Sequence, residues 1–190
     1  VDESLIAYFE TKLSDKVDIG QRLRHLLDYN IQEVQFNDEE KEQLIRAIDE
    51  VKVLDPACGS GAFPMGILQK LVYVLQRIDP KSKRWRELQR EKAIRESNGA
   101  YQLEDHFTRK KRLEEIENTF TNYSEDYGRK LCLIENCIYG VDIQPIAIQI
   151  AKLRFFISLV VEQDLEKNEK NFGIQPLPNL ETKFVAANTL

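Results

Sequence analysis

Three polar residues and two glycines are the residues of this sequence that are best placed to bind a ligand. Asp55, Asp142 and Asn188 each follow a short apolar run, and Gly59 and Gly61 lie in the loop after the first of these runs. Ligands of parallel α/β sheets bind beyond the carboxyl ends of the strands, so side chains at these three positions would line one binding edge. The glycines allow the backbone to turn tightly and to approach a ligand closely. A ligand with an anionic group near the loop and a ribose near Asp142 would fit.

The elements that must position these residues follow from the spacing of the apolar side chains. Short apolar runs predict strands at residues 51–54, 138–141 and 183–187. Helical spacing predicts helices before the first strand, after the glycine loop and after the second strand, and Asn37 with Glu40 marks the start of the helix before the first strand. This alternation is typical of an α/β fold with a parallel doubly wound sheet, its three strands in the order three-two-one.

Two segments outside the strands need their own interpretation. Residues 79–131 are rich in charge and poor in apolar side chains, which predicts an exposed helical insert. The helix that begins at Pro145 is apolar on more than one face, so we expect it to be covered on more than one side. The residues on its first face are Ile146, Ile150, Leu153, Ile157 and Val160. The domain assignment is N-terminal helices over 1–50 and a sheet domain over 51–190 that contains the insert.

Composition limits the class of protein. With 42% hydrophobic and 31% charged residues in 190, the chain can form a core, which excludes a disordered tail or a disulfide scaffold. A net charge of -5 argues against a general polyanion binder, so contacts with nucleic acid would be local. Three cysteines without a C-x-x-C pattern indicate a reducing compartment, and no apolar run is long enough to predict a membrane span. We expect a cytoplasmic segment of a longer polypeptide.

The glycine loop fits neither of two common nucleotide motifs. The phosphate loop G-x-x-x-x-G-K-[ST] fails because Ile67 and Leu68 follow the second glycine, and G-x-G-x-x-G fails because Pro64 stands where the third glycine belongs. The ligand should therefore have an anionic end that is smaller than a diphosphate. S-adenosylmethionine meets this requirement, with a carboxylate and an amine at one end and a ribose at the other.

Three motifs resemble those of DNA amino-methyltransferases that modify adenine at N6. The first is V-L-D-P-A-C-G-S-G-A-F at 53–63, the second is I-Y-G-V-D-I at 138–143, and the third runs from L-P-N-L at 177–180 to A-N-T-L at 187–190. The sequence is most similar to large methyltransferase subunits of restriction–modification and phage-defence systems. The resemblance implies a partial Rossmann-like fold, S-adenosylmethionine as cofactor, and DNA as the partner of the full-length protein. It also implies that the remainder of the methyltransferase and a target-recognition domain accompany this chain.

The resemblance further implies roles for individual residues. Asp55 would lie near the amino group of the cofactor, and Asp142 would accept hydrogen bonds from the ribose hydroxyls. Ile143 would pack on the adenine ring, Asn188 would bond its exocyclic amine, and Phe63 completes the assigned cofactor site. The backbone that would hold the methionine end belongs to Ala57, Cys58, Gly59 and Gly61. No metal ligand is assigned.

The catalytic motif of that family, N-P-P-Y or a close variant, does not occur in these 190 residues. Its Asn side chain and Pro carbonyl would polarise the target amine, and its aromatic residue would stack on the flipped base. We therefore assign no catalytic residue. We expect the parent protein to be an adenine-specific DNA methyltransferase and this chain alone to be inactive. The alternatives are methylation of cytosine N4 or RNA, and a non-catalytic interaction module that retains the methyltransferase fold.

Simpler structural roles compete with these assignments. Asp142 could cap the helix that begins at Pro145. Cys58 is more typical of a small packed thiol than of a nucleophile, because no base is near it in the sequence. Basic residues at 81–95 and 109–112, together with Trp85 and Tyr101, could contact a DNA backbone, although a solvated helix face is the favoured interpretation.

Overall fold

A computed structural model describes residues 1–13, 18–98, 124–163, 170–174 and 178–189. Its α-helices are α1 (Asp2–Lys12), α2 (Ile19–Leu27), α3 (Asp38–Glu50), α4 (Ala62–Ile78), α5 (Lys83–Asn98), α6 (Glu125–Asn136) and α7 (Pro145–Val160). The strands are β1 (Val53–Asp55), β2 (Ile138–Asp142) and β3 (Phe184–Ala186), and a short 3-10 turn spans Lys170–Gly173. No helix among these residues is long and apolar enough to cross a membrane.

The three strands form one parallel sheet in the order β1-β2-β3, which confirms the predicted order. Asp55 is in register with Gly140, and Asp142 is in register with Ala186. β1 begins two residues later than predicted, because Val51 still ends α3, where its N–H donates to the carbonyl of Ala47 at 3.0 Å. The parallel ladder brings the carboxyl ends of all three strands to one edge of the sheet.

The sheet packs against helices on one face. On that face the ring of Phe184 lies 4.7 Å from the ring of Phe155 of α7, centroid to centroid. The alternate residues point the other way, and Leu54 is 61% exposed and Val185 40% exposed. The helices of the described chain therefore cover one face of the sheet and leave apolar side chains accessible on the other.

The N-terminal helices share the core of the sheet. Asn37 caps α3 through its side chain, which accepts the N–H of Glu40 at 2.9 Å, while Glu40 accepts the N–H of Asn37 at 2.8 Å. This capping box confirms the helix start predicted at Asn37. The hydroxyl of Tyr8 in α1 donates to the carbonyl of Ala47 in α3 at 2.8 Å. The buried apolar residues of α1 to α3 belong to the same hydrophobic cluster as those of α4, β2 and α7.

The first part of the charged insert packs against the core, and the expectation of an exposed helix is wrong for one side of α5. Trp85 is fully buried. The carboxylate of Asp79 accepts the backbone N–H groups of Lys83 at 3.1 Å and Trp85 at 2.9 Å, which fixes the start of α5. Trp85 therefore cannot stack on nucleic acid. Tyr101 and residues 109–112 lie outside the described residues.

One apolar face of α7 is more exposed than the sequence predicted. Its inner face, which includes Ile148, Ala151, Phe155 and Leu159, is buried. The other apolar face is accessible, with Ile146 65%, Leu153 54% and Ile157 51% exposed. The described chain thus covers this helix on one side, where the sequence predicted more than one.

Candidate functional site

The glycine loop is fastened to the end of β2. The N–H of Gly59 donates to Oδ2 of Asp142 at 2.8 Å, although the two residues are 83 positions apart in sequence. The N–H of Cys58 donates to the carbonyl of Val141 at 2.9 Å, one residue earlier on β2. Two adjacent hydrogen bonds therefore position the loop after β1 against the residue that the sequence predicted to bind a ribose.

Both carboxylate oxygens of Asp142 accept backbone hydrogen bonds. Oδ2 accepts from Gly59, and Oδ1 accepts the N–H of Gln144 at 2.9 Å. An ionised carboxylate has about four acceptor positions, so each oxygen can take one more donor. The residue that caps α7 is Gln144 rather than Asp142, so the alternative role of Asp142 as that helix cap is wrong.

The segment after β3 reaches the same edge. The N–H of Ala187 donates to the carbonyl of Asp142 at 3.0 Å, and the hydroxyl of Thr189 donates to the carbonyl of Pro56 at 3.2 Å. Asn188 stands between these two contacts and is exposed. The segment thus spans from the end of β2 to the loop after β1. No local pattern in the sequence indicates the contact between Thr189 and Pro56.

The two glycines of the loop have different environments. Both have positive φ, +52° for Gly59 and +80° for Gly61. A Cβ on Gly61 would lie 2.9 Å from Cβ of Ala151 in α7, whereas a Cβ on Gly59 would meet no atom within 4 Å. Gly61 is therefore needed for the loop to pack on α7, and Gly59 borders open space that a ligand can enter.

The remaining predicted residues lie around this loop. Asp55 accepts the N–H of Ala57 through Oδ1 at 3.1 Å, which closes the turn after β1. Ala57 is exposed, Phe63 in the first turn of α4 is 46% exposed, and Ile143 is 70% exposed beside Asp142. The structure joins Gly59, Cys58 and the third-motif segment to β2 by hydrogen bonds, while Phe63 and Ile143 flank that edge without a hydrogen bond to it.

Cys58 is buried beneath the loop. A Cβ on Gly140 would lie 2.9 Å from its Sγ, so the thiol packs against a glycine of β2. Burial raises the pKa of the Cys58 thiol, and the negative charges of Asp55 and Asp142 raise it further. A thiol held in its neutral form is a poor nucleophile. These observations favour the packed-thiol interpretation of Cys58.

The three cysteines should react with an alkylating reagent in a fixed order. We expect iodoacetamide at pH 8 to modify the partly buried Cys132 first and the buried Cys58 later, because a raised pKa of the Cys58 thiol leaves less thiolate at that pH. Cys137 should react last, since burial raises its pKa to about 11. Peptide mapping by mass spectrometry over time measures the order. Equal rates in denaturant are the control, and modification of Cys58 ahead of Cys132 would contradict the packed-thiol interpretation.

Comparison of the sequence with known proteins gives similarity to restriction–modification methylases. Residues 136–188, which include β2, α7 and β3, match the family of Eco57I restriction-modification methylases. Over 155 residues the chain is 30% identical to a protein of Methanocaldococcus jannaschii named "Putative type II restriction enzyme and methyltransferase". That similarity covers 80% of this chain and 10% of the other protein, so the chain spans about a tenth of the relative it matches. No solved structure matches the chain.

Proposed function

We propose that this chain is the cofactor-binding part of a restriction–modification DNA methyltransferase, and that the cofactor is S-adenosylmethionine. The observation that carries the proposal is the 2.8 Å hydrogen bond from Gly59 to Asp142, which joins the glycine loop to the carboxylate at the end of β2. Sequence similarity to restriction–modification methylases covers Asp142 and Asn188 at the same edge. The local geometry and the sequence similarity therefore support the same site.

The residues at this edge fit the cofactor. The open space beside Gly59 admits a ligand close to the backbone, and the free acceptor positions of Asp142 suit two ribose hydroxyls. The exposed side chain of Ile143 offers an apolar surface to the adenine ring. When bound, S-adenosylmethionine supplies a methyl group on a positively charged sulfur. The contribution of this chain is to bind and orient that molecule.

The target base is a further part of the proposal. The likeness of the three motifs to those of adenine-N6 methyltransferases supports the exocyclic amine of adenine in DNA as the acceptor. The N-P-P-Y tetrapeptide is absent from these 190 residues. Residues outside the three motifs must therefore polarise that amine. The remainder of the methyltransferase and a target-recognition domain are the proposed partners.

The interaction-module alternative depends on the charged insert as a working surface. In the described part of that insert, basic side chains engage carboxylates of α3. Arg84 donates to Oδ1 of Asp38 at 2.6 Å, and Lys92 donates to both oxygens of Asp49 at 3.2 Å. These contacts anchor α5 to the core, so we favour the enzymatic assignment.

Titration calorimetry tests the proposal. We expect one saturable site for S-adenosylmethionine and for its product S-adenosylhomocysteine, and no binding of NAD, because the loop lacks the third glycine that a dinucleotide site requires. With tritiated S-adenosylmethionine and unmodified DNA, we expect no transfer by this chain alone and N6-methyladenine from the full-length protein. Binding of NAD without S-adenosylmethionine, or label recovered on cytosine, would overturn the corresponding part of the assignment.

A further inference from the structure

The segment that follows β3 crosses the end of its neighbouring strand. β2 lies between β1 and β3 in the sheet, and two strands separated by a third lie roughly 10 Å apart. The N–H of Ala187 donates to the carbonyl of Asp142 on β2 at 3.0 Å. The hydroxyl of Thr189 donates to the carbonyl of Pro56, just beyond β1, at 3.2 Å. Residues 187–189 therefore connect the carboxyl ends of all three strands.

The crossing segment has little slack. Two residues of extended backbone, from Ala187 to Thr189, cover at most about 7 Å. The side chain of Thr189 and its hydrogen bond must supply the remaining distance to Pro56, so this backbone has to be nearly extended. Asn188 lies between the two bonded residues and is exposed at the end of β2. Hydrogen bonds on both sides therefore restrict the positions that Asn188 can occupy.

A fixed position of Asn188 matters for the recognition of a nucleoside. The inference rests on the proposed function, with Asp142 bonded to the ribose hydroxyls and Asn188 bonded to the exocyclic amine of adenine. A residue that is already ordered loses less conformational entropy when the ligand binds, so its hydrogen bond contributes more to the affinity. We propose that Thr189 is a positioning residue, which holds Asn188 through the bond to Pro56 and thereby makes the site select a base with an exocyclic amine.

The bond between Thr189 and Pro56 should contribute little to the stability of the fold. Both residues are exposed, so water can replace either partner when the bond is lost. Loss of the hydroxyl should therefore leave the thermal midpoint within about 2 °C of the wild type, while it changes the choice of ligand. A purely structural role would give the reverse, a lower midpoint and an equal loss of affinity for every ligand.

Calorimetry with two ligands tests the proposal on the 190-residue chain. The ligands are S-adenosylhomocysteine and its analogue with purine in place of adenine, which lacks the exocyclic amine. The wild type should prefer the first by roughly threefold to tenfold, the value of one hydrogen bond. Thr189→Val keeps the shape of the side chain without its hydroxyl and should lower this preference at least twofold, and Thr189→Ser should restore it. The matched control is Thr11→Val, which removes a hydroxyl that donates to the carbonyl of Tyr8 in α1 at 2.6 Å and should leave the preference unchanged.

A double substitution tests whether Thr189 acts through Asn188. Asn188→Ala should abolish the preference, and Thr189→Val added to it should change nothing more, because a residue that acts only through another has no effect once that other is removed. An unchanged preference in Thr189→Val, an equal loss of affinity for both ligands, or additive effects in the double variant would overturn the proposal. A wild type that binds neither ligand would refute the proposed function and this inference together, whereas binding with an unaltered preference in Thr189→Val would refute the inference alone.

Discussion

Asp142→Ala is expected to lower the affinity for S-adenosylmethionine roughly fivefold to 150-fold, about 1–3 kcal/mol, because two ribose hydroxyls lose their acceptor. The substitution also removes the acceptor for the N–H groups of Gly59 and Gln144, so the loop after β1 loses one of its two hydrogen bonds to β2. Calorimetry on the wild-type and variant chains measures the first effect. The change in thermal unfolding midpoint measures the second and allows the two to be separated.

Two further variants make this result specific. Asp142→Asn keeps one acceptor oxygen and replaces the other by a donor, so its affinity should fall between those of the wild type and the alanine variant. Asp38→Ala removes a carboxylate that pairs with Arg84 on α5, away from the loop, and should leave the affinity unchanged. Equal affinity in the wild type and Asp142→Ala would refute the assignment of Asp142 to the ribose.

Gly61→Ala is expected to destabilise the folded chain by about 2–3 kcal/mol, through overpacking and a left-handed backbone that disfavours a Cβ. The new methyl group would lie 2.9 Å from Cβ and 3.2 Å from Cα of Ala151, and the second of these atoms is backbone that cannot move aside locally. For a chain of this length the thermal midpoint should fall by roughly 5–10 °C. Differential scanning calorimetry measures it.

The other glycines of this region supply matched controls. Gly66 lies inside α4, and a methyl group added there would meet no atom within 4 Å, so Gly66→Ala should stabilise the chain by about 0.5–1 kcal/mol through helix propensity. Gly59→Ala should destabilise it by about 1–2 kcal/mol from the positive φ alone, and should impair cofactor binding more than Gly66→Ala does. If Gly61→Ala and Gly66→Ala had the same effect, packing against Ala151 would not be the reason for Gly61.

The sequence predicted the parts of this molecule that depend on local patterns. Three short apolar runs predicted the three strands, and the strand order typical of doubly wound sheets indicated theirs. Residues placed directly after those strands, Asp55, Asp142 and Asn188, then had to lie at one edge. The start of α3 at Asn37 followed from a capping pattern only three residues long. Each of these features is determined by a few neighbouring residues.

The features that the sequence did not reveal depend on contacts between distant residues. Both loop glycines fit a ligand-binding interpretation, and the distinction between them arises from Ala151 on another helix. Helical spacing shows how many faces of α7 are apolar but not which of them this chain covers. The charged composition of residues 81–95 gave no indication that Trp85 is buried. Asp79 accepts the backbone N–H groups of Lys83 and Trp85 and so fixes the start of α5.

The parallel ladder has a consequence for the order of folding. Val53 pairs with Ile138, and Gly140 pairs with Phe184, so both strand pairings join distant parts of the chain. Closing the long loop between β1 and β2 costs entropy before any contact is gained, whereas α1, α2 and α3 contact one another over shorter separations, such as the 39 residues between Tyr8 and Ala47. We expect the helices to form first and the sheet to be completed late. The loop and Asp142 meet only when β1 and β2 pair, so the ligand-binding edge should be among the last parts of the molecule to assemble.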